Sequence, residues 1–346
     1  MRERRARPGA VGRRGVRLAL ALLLTGCGAG PETARRGVVV EPVGMPAAEA
    51  RAAPTRIVLL GTGTPLPDAR RAGSGVALIH RGEAWLFDVG AGVVRRALEA
   101  RVAHGLPALY PTRIRGVFVS HLHSDHLVDY PELVATLWWR RAAPLRVWGP
   151  AGMAALHEAT LEFLAPDTAL RVGGRQPVSA LTPDRIPVRE IEAGVLFEEE
   201  DLRVEAFAVD HGDIDPAWGF RIRTADATVV LSGDTRFSEA VLEHARGADL
   251  LVHEVIPDAA LASRPPTWRA YHAAAHTSAT ELARLARRAR PGLLVLTHGL
   301  FFGEPETDVL AELRAAGYAG AVRLGADLDL LEAPFGDGRV TPAPSH

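Results

Sequence analysis

His121-Leu122-His123-Ser124-Asp125-His126 puts four metal-binding side chains into six residues, directly after the largely apolar run 114–119. That run reads as a buried strand. A strand tip that turns sharply aims alternate side chains into one pocket. His121 and His123 would then serve one ion, and Asp125 and His126 a second. Imidazole and carboxylate together suit zinc, with Mn2+ or Fe2+ as rivals. A single His-x-His pair is a weak signal; the whole hexapeptide behind a strand is a strong one.

Three more ligand-type residues follow strand-like runs further along. His211 stands in Val209-Asp210-His211-Gly212 after 202–208, Asp234 in Leu231-Ser232-Gly233-Asp234-Thr235, and His298 in Leu296-Thr297-His298. The pattern resembles the metallo-β-lactamase superfamily, from Arg56 to Glu332. That resemblance implies an α/β fold, the four-layer αββα sandwich, with two metal ions at one rim. It makes His211 the third histidine of the first metal, Asp234 the bridging carboxylate and His298 the last ligand of the second. His253-Glu254-Val255 and His276-Thr277-Ser278 resemble the His-Glu-Ala-Thr and His-Ser-Thr signatures of the ribonuclease Z-like group. On that mapping Glu254 orients His276, which stabilises the reacting oxyanion or passes a proton to the leaving group. Leu60-Gly61-Thr62-Gly63-Thr64-Pro65 and the Asp88 of Leu86-Phe87-Asp88-Val89-Gly90 match the group's first hairpin. No Gly-Lys-Ser/Thr follows those glycines, so they are not a nucleotide cradle. Asp88 is expected to buttress ligands from behind.

The chain also departs from ribonuclease Z. Members that process tRNA carry a long Gly- and Pro-rich clamp between the third histidine and the bridging aspartate. Here only 23 positions separate His211 from Asp234, read as a loop and two short strands. The whole sequence has 40 Lys+Arg against 41 Asp+Glu, and residues 1–26 hold seven of those arginines and one glutamate. Without them the balance is 33 against 40, a charge of −7. A nucleic-acid partner needs cations to displace counterions, so the charge argues against one.

Residues 1–26 read as a signal peptide: an Arg-rich start runs into the apolar stretch 18–24, too short to span a bilayer. Leu24-Thr25-Gly26-Cys27 resembles the bacterial lipobox, making Cys27 the lipidated first mature residue. Acyl chains at about 0.8 kcal/mol per buried methylene would hold the protein on a membrane of the bacterial cell envelope. Cys27 is the single cysteine, so the domain has neither disulfides nor cysteine ligands. Residues 27–55 read as a flexible tether, 56–334 as one hydrolase domain and 335–346 as a loose tail. Helical patterns fall at 92–101, 130–140, 152–164, 238–246, 278–289 and 306–316.

Two zinc ions about 3.5–4 Å apart can share a water and bring its pKa near 7, giving a hydroxide nucleophile. Asp125 would bind one ion and take or hold the water's proton, with His276 at the departing oxygen. The chain contains no lysine and no asparagine, side chains with which zinc β-lactamases hold the drug, so that activity is not expected. Aromatic residues remain: Trp138 and Trp139, expected to pack a helix, and Trp268, Tyr271, Phe301 and Phe302. Trp268 and Tyr271, read as part of a Pro-rich loop before His276, are candidates for a substrate wall beside an aryl or acyl ester, and Phe301 is a further candidate substrate contact. His272 is a further candidate contact. The sequence therefore points to an exported, lipid-anchored dinuclear hydrolase of a phosphodiester, sulfate ester or related small ester. Alternatives are a tRNA 3′-endonuclease, a lactonase or a non-catalytic metal-binding envelope protein; a homodimer stays open.

Overall fold

A computed structural model describes residues 53–306, 308–335 and 340–342. The expected signal peptide, Cys27 and nearly all of the tether lie outside them. The first sheet takes β1 (Arg56–Gly61), β2 (Gly75–His80), β3 (Glu83–Phe87), β4 (Ile114–Phe118), β5 (Arg146–Gly149) and β6 (Val188–Glu190). The second takes β7 (Gly194–Glu199), β8 (Leu202–His211), β9 (Ile214–Arg223), β10 (Thr228–Leu231), β11 (Leu250–Val255), β12 (Leu293–Gly299) and β13 (Val322–Leu324). The chain then returns to the first sheet with β14 (Leu330–Glu332) and β15 (Val340–Thr341).

Alternation along the strands builds the layers. Successive side chains of a strand point to opposite faces, so a strand buried on both faces is apolar throughout. Ile57 and Leu59 of β1 join the core between the sheets, while Val58 and Leu60 face a helical layer outside. On the other sheet Leu250, Val252, Leu293 and Val295 point inward, and Leu251, Leu294 and Leu296 meet the second helical layer. The result is the expected αββα sandwich. Each sheet begins with antiparallel pairs and ends with parallel ones: β3–β4–β5–β6 in the first, β10–β11–β12–β13 in the second. Ligand sites of open α/β sheets gather at the carboxyl ends of such strands. That rim carries every metal-ligand candidate.

Phe118 ends β4 and is fully buried between the sheets, stacked on Phe87 at 5.0 Å and on Trp148 at 4.6 Å. Phe118→Ala is expected to cost about 3–5 kcal/mol, read as a fall in the urea midpoint of the metal-stripped protein.

Several elements differ from the sequence reading. The helix expected over 152–164 runs as Met153–Gly173, through Pro166. Its buried positions stop at Leu164 and the rest faces solvent, so periodicity carries no signal there. The helix expected over 130–140 ends at Ala135; Leu137 takes a left-handed backbone and a 3-10 turn, Trp138–Arg140, buries Trp138. The segment read as a Pro-rich loop before His276 is a helix, Pro266–Ala275, with proline at its first position, where the missing N–H costs nothing. Between His211 and Asp234 lies a ten-residue strand, β9, hairpinned to β8, followed by the four-residue β10. The tail is not loose at its start: Phe335 is 2% exposed in the inter-sheet core, and β15 pairs with β14.

Candidate metal centre

The segment after β4, a short loop that runs into the one-turn helix Ser124–Leu127, is pinned by backbone contacts. Ser74 N–H donates to the Asp125 carbonyl at 2.9 Å and Val89 N–H to that of His126 at 2.7 Å. A Cβ at Gly90 would stand 1.9 Å from the Asp125 oxygen, so only glycine lets β3's tip approach so closely. On the facing sheet Gly233, at φ +60°, sits against the Trp218 carbonyl, where a Cβ would come within 2.5 Å. That approach delivers Asp234 to the rim. His211 and His298 are not past their strands but within their last two residues.

These loops bring the predicted ligands together in two groups. His121, His123 and His211 offer atoms within 4.8 Å of one another, as do Asp125, His126 and His298. Asp234 lies between them: its Oδ2 is 3.4 Å from His126 Nε2, 3.4 Å from His298 Nε2 and 3.9 Å from His211 Nε2. The tautomers fit a cation. His126 Nδ1 lies 2.8 Å from Asp88 Oδ2 and His211 Nδ1 2.8 Å from the Ala275 carbonyl, so both outer nitrogens donate. Their Nε2 lone pairs are thereby turned inward. His123 Nδ1 is 3.0 Å from His121 Nε2 and 3.2 Å from His211 Nε2. At most one proton, on His123 Nδ1, can serve these two contacts, so the three converging nitrogens present lone pairs suited to a positive ion. His126 Nε2 and Asp125 Oδ1 are buried with no hydrogen-bond partner, again as vacant donors to a metal. Burial holds His121 well below the usual histidine pKa, and lowers His123 and His211, keeping them neutral as ligands must be. Burial opposes the charge of Asp234 too, but His298 and His126 outweigh it and hold the carboxyl well below its usual range.

Asp88 accepts from Ser120 N–H at 2.7 Å and its hydroxyl at 2.9 Å while holding His126. Its place behind the ligands matches the sequence reading. Asp88→Ala is expected to weaken metal binding about 10- to 100-fold, read by calorimetric titration.

Glu254, 1% exposed, accepts from Thr235 N–H (3.1 Å), Thr277 N–H (3.2 Å) and His276 Nδ1 (3.3 Å). Burial acts against a His276 cation, but Glu254 beside it prevails and raises its pKa. The ring lies 5.1 Å from that of His211. His276, His123, Asp234 and His298 open on a cavity of about 1200 Å³. Trp268, Tyr271, Phe301, Phe302 and His272 line it as well, whereas Trp138 and Trp139 do not. Sequence reasoning missed its charged lining, which includes Arg71, Arg264 and Glu306 from separate loops with no shared local pattern.

Ligand-type side chains on both sheets, converging on one carboxylate at the rim of an αββα sandwich, define a metallohydrolase. Residues 85–299 match the family model described as "Beta-lactamase superfamily domain". The chain belongs to the metallo-β-lactamase superfamily and is a hydrolase with ribonuclease Z homologues. The ribonuclease Z of Mycobacterium bovis (strain BCG / Pasteur 1173P2) is 35% identical over 282 residues, 80% of this chain and 97% of the relative. Among solved structures, YhfI from Bacillus subtilis, a metallo-β-lactamase fold protein, superposes with TM-score 0.62 at 19% identity, over 81% of this chain and 100% of that one. The short form of human tRNase Z does so at 0.58 and 23%, over 80% and 98%.

Proposed function

We propose that the protein is a dinuclear, zinc-dependent phosphodiesterase acting on a small aromatic ester. The observation that carries this is Asp234 shared between two ligand groups, with the His276–Glu254 pair opening on the same cavity. His121, His123 and His211 would hold one ion, Asp125, His126 and His298 the other, and Asp234 both. Two cations there supply Lewis acidity and bring the pKa of water near neutral.

The remaining steps belong to the chain's own residues. Asp125 has two oxygens in the site, Oδ2 beside His298 and Oδ1 buried without a partner, so one can hold an ion while the other accepts a proton from the attacking water. His276 keeps its Nδ1 on Glu254, so Nε2 is the atom that faces a leaving oxygen and carries its proton. Trp268 and Tyr271, 57% and 43% exposed, offer the flat apolar faces against which an aryl group can lie. Phosphodiester chemistry is preferred over sulfate because the mycobacterial relatives are ribonucleases, and RNA is itself a phosphodiester.

A second reading, transfer RNA 3′ processing, is favoured by one finding. The mycobacterial relatives match over nearly their whole length, so the missing clamp does not separate this chain from them. The test compares bis-p-nitrophenyl phosphate, p-nitrophenyl sulfate and a 3′-extended tRNA precursor with zinc supplied, using Asp125→Ala as the blank. Turnover of the first alone supports the proposal; turnover of the sulfate alone, or of the tRNA alone, replaces it.

Export and lipid attachment at Cys27 belong to the same proposal and rest on the sequence. Palmitate labelling in a bacterial host, lost in Cys27→Ser, is the expected result; labelling that persists removes the anchor.

A further inference from the structure

The cavity beside the metal centre carries a cation for which the hydrolytic reading has no use. Three arginines line it. Arg70 and Arg71 are both paired with Glu306, at 3.5 and 2.5 Å, and Arg70 also with Asp68 at 3.1 Å. Arg264 is different. Its hydrogen bonds reach only the Ser263 hydroxyl, at 3.4 and 3.0 Å, and no carboxylate pairs with it among the described residues. Glu304, which also lines the cavity, forms no ion pair with it. The guanidinium is instead seated on the Phe302 ring, 4.6 Å from its centroid. Cation–π contact fixes its place without neutralising its charge.

The surroundings of that charge are aromatic. Trp268 and Tyr271 stand edge to face at 5.8 Å, both open to solvent. His272 stacks on Trp268 at 5.8 Å, lies 5.0 Å from Phe302 and 5.8 Å from His276. A continuous path of rings therefore leads from the His276 end of the centre to Arg264. A guanidinium never loses its proton, and its planar fork matches phosphate and carboxylate.

We infer that Arg264 is a specificity-determining residue that takes a second anionic group of the substrate, whose aromatic ring lies along Trp268 and Tyr271. This rests on the phosphodiesterase reading, which gives the scissile ester to the metal-ligand side chains. The charge of that ester is answered there, so a free cation elsewhere in the cavity answers another. The substrate class is an aromatic phosphodiester with an additional phosphate or carboxylate.

Two p-nitrophenyl esters that differ only in that charge test it: thymidine 5′-(p-nitrophenyl phosphate) and the same compound phosphorylated on its 3′ oxygen. The full-length protein with zinc is expected to favour the second. Arg264→Gln should lower kcat/KM for it about tenfold, mainly through KM, and leave the first ester within about twofold, as loss of one charge-assisted contact requires. Arg264→Lys should recover part of the difference. Equal losses on both esters, or none on either, overturn the assignment. Calorimetry with thymidine 3′,5′-bisphosphate gives a readout free of turnover, and its Kd should rise about tenfold in Arg264→Gln. An unchanged Kd overturns the subsite. Neither ester cleaved, with the Kd shift present, overturns the phosphodiesterase reading and upholds the subsite.

Discussion

Asp234→Ala is expected to remove turnover by about three to four powers of ten and to lower bound metal below two ions per chain, since ligated metal supplies several kcal/mol of charge stabilisation at about 1.4 kcal/mol per power of ten. Asp234 Oδ2 lies within 3.4 Å of His126 and His298 and 3.9 Å of His211. Without it, five imidazoles face one another with Asp125 as the remaining carboxylate among the predicted ligands. Asp234→Asn keeps the shape and removes the charge, so a loss of similar size would assign the effect to charge. Metal content by mass spectrometry is the check, beside kcat. Turnover retained at a tenth or more of wild type would show that Asp234 is not the shared ligand.

The second large effect is expected from His276→Ala: a fall in kcat of about 10²- to 10⁴-fold, the usual span for a positioned proton donor, with both metals retained. The ring is not in either predicted ligand group, and it is held from behind by Glu254. Because Glu254 raises the His276 pKa, the protonated form is present below that raised value and is lost as pH climbs through it. Activity that needs the proton should therefore show an alkaline limb. Glu254→Gln removes the anion and should move that limb to lower pH. Loss of metal in His276→Ala, or a limb unmoved in Glu254→Gln, would leave His276 as a structural residue.

How much of this the sequence revealed depended on where the signal lay. The ligand candidates were legible because each sits at or next to the end of a strand, and four of them, His121 to His126, fall within six consecutive residues. The four layers were implied by the family resemblance, and strands apolar on both faces build them in the structure. Legibility failed where local and tertiary preferences disagree. Pro265 and Pro266 suggested a loop, although proline at a helix's first position is a start signal, and Trp268, Tyr271, His272 and Ala275 keep helical spacing. Beyond Leu164 the helix Met153–Gly173 has no buried residue and so leaves no periodic trace. Arg264, Arg71 and Glu306 meet only when loops from distant parts of the chain close around one cavity.

The central claim is that two ions share one carboxylate. Calorimetric titration of zinc into chelator-stripped protein measures it most directly, with His298→Ala and His123→Ala alongside. Two equivalents in the native chain, and about one in each variant, is the predicted result. A single equivalent in the native chain, or two retained in both variants, would contradict a dinuclear centre built from these residues.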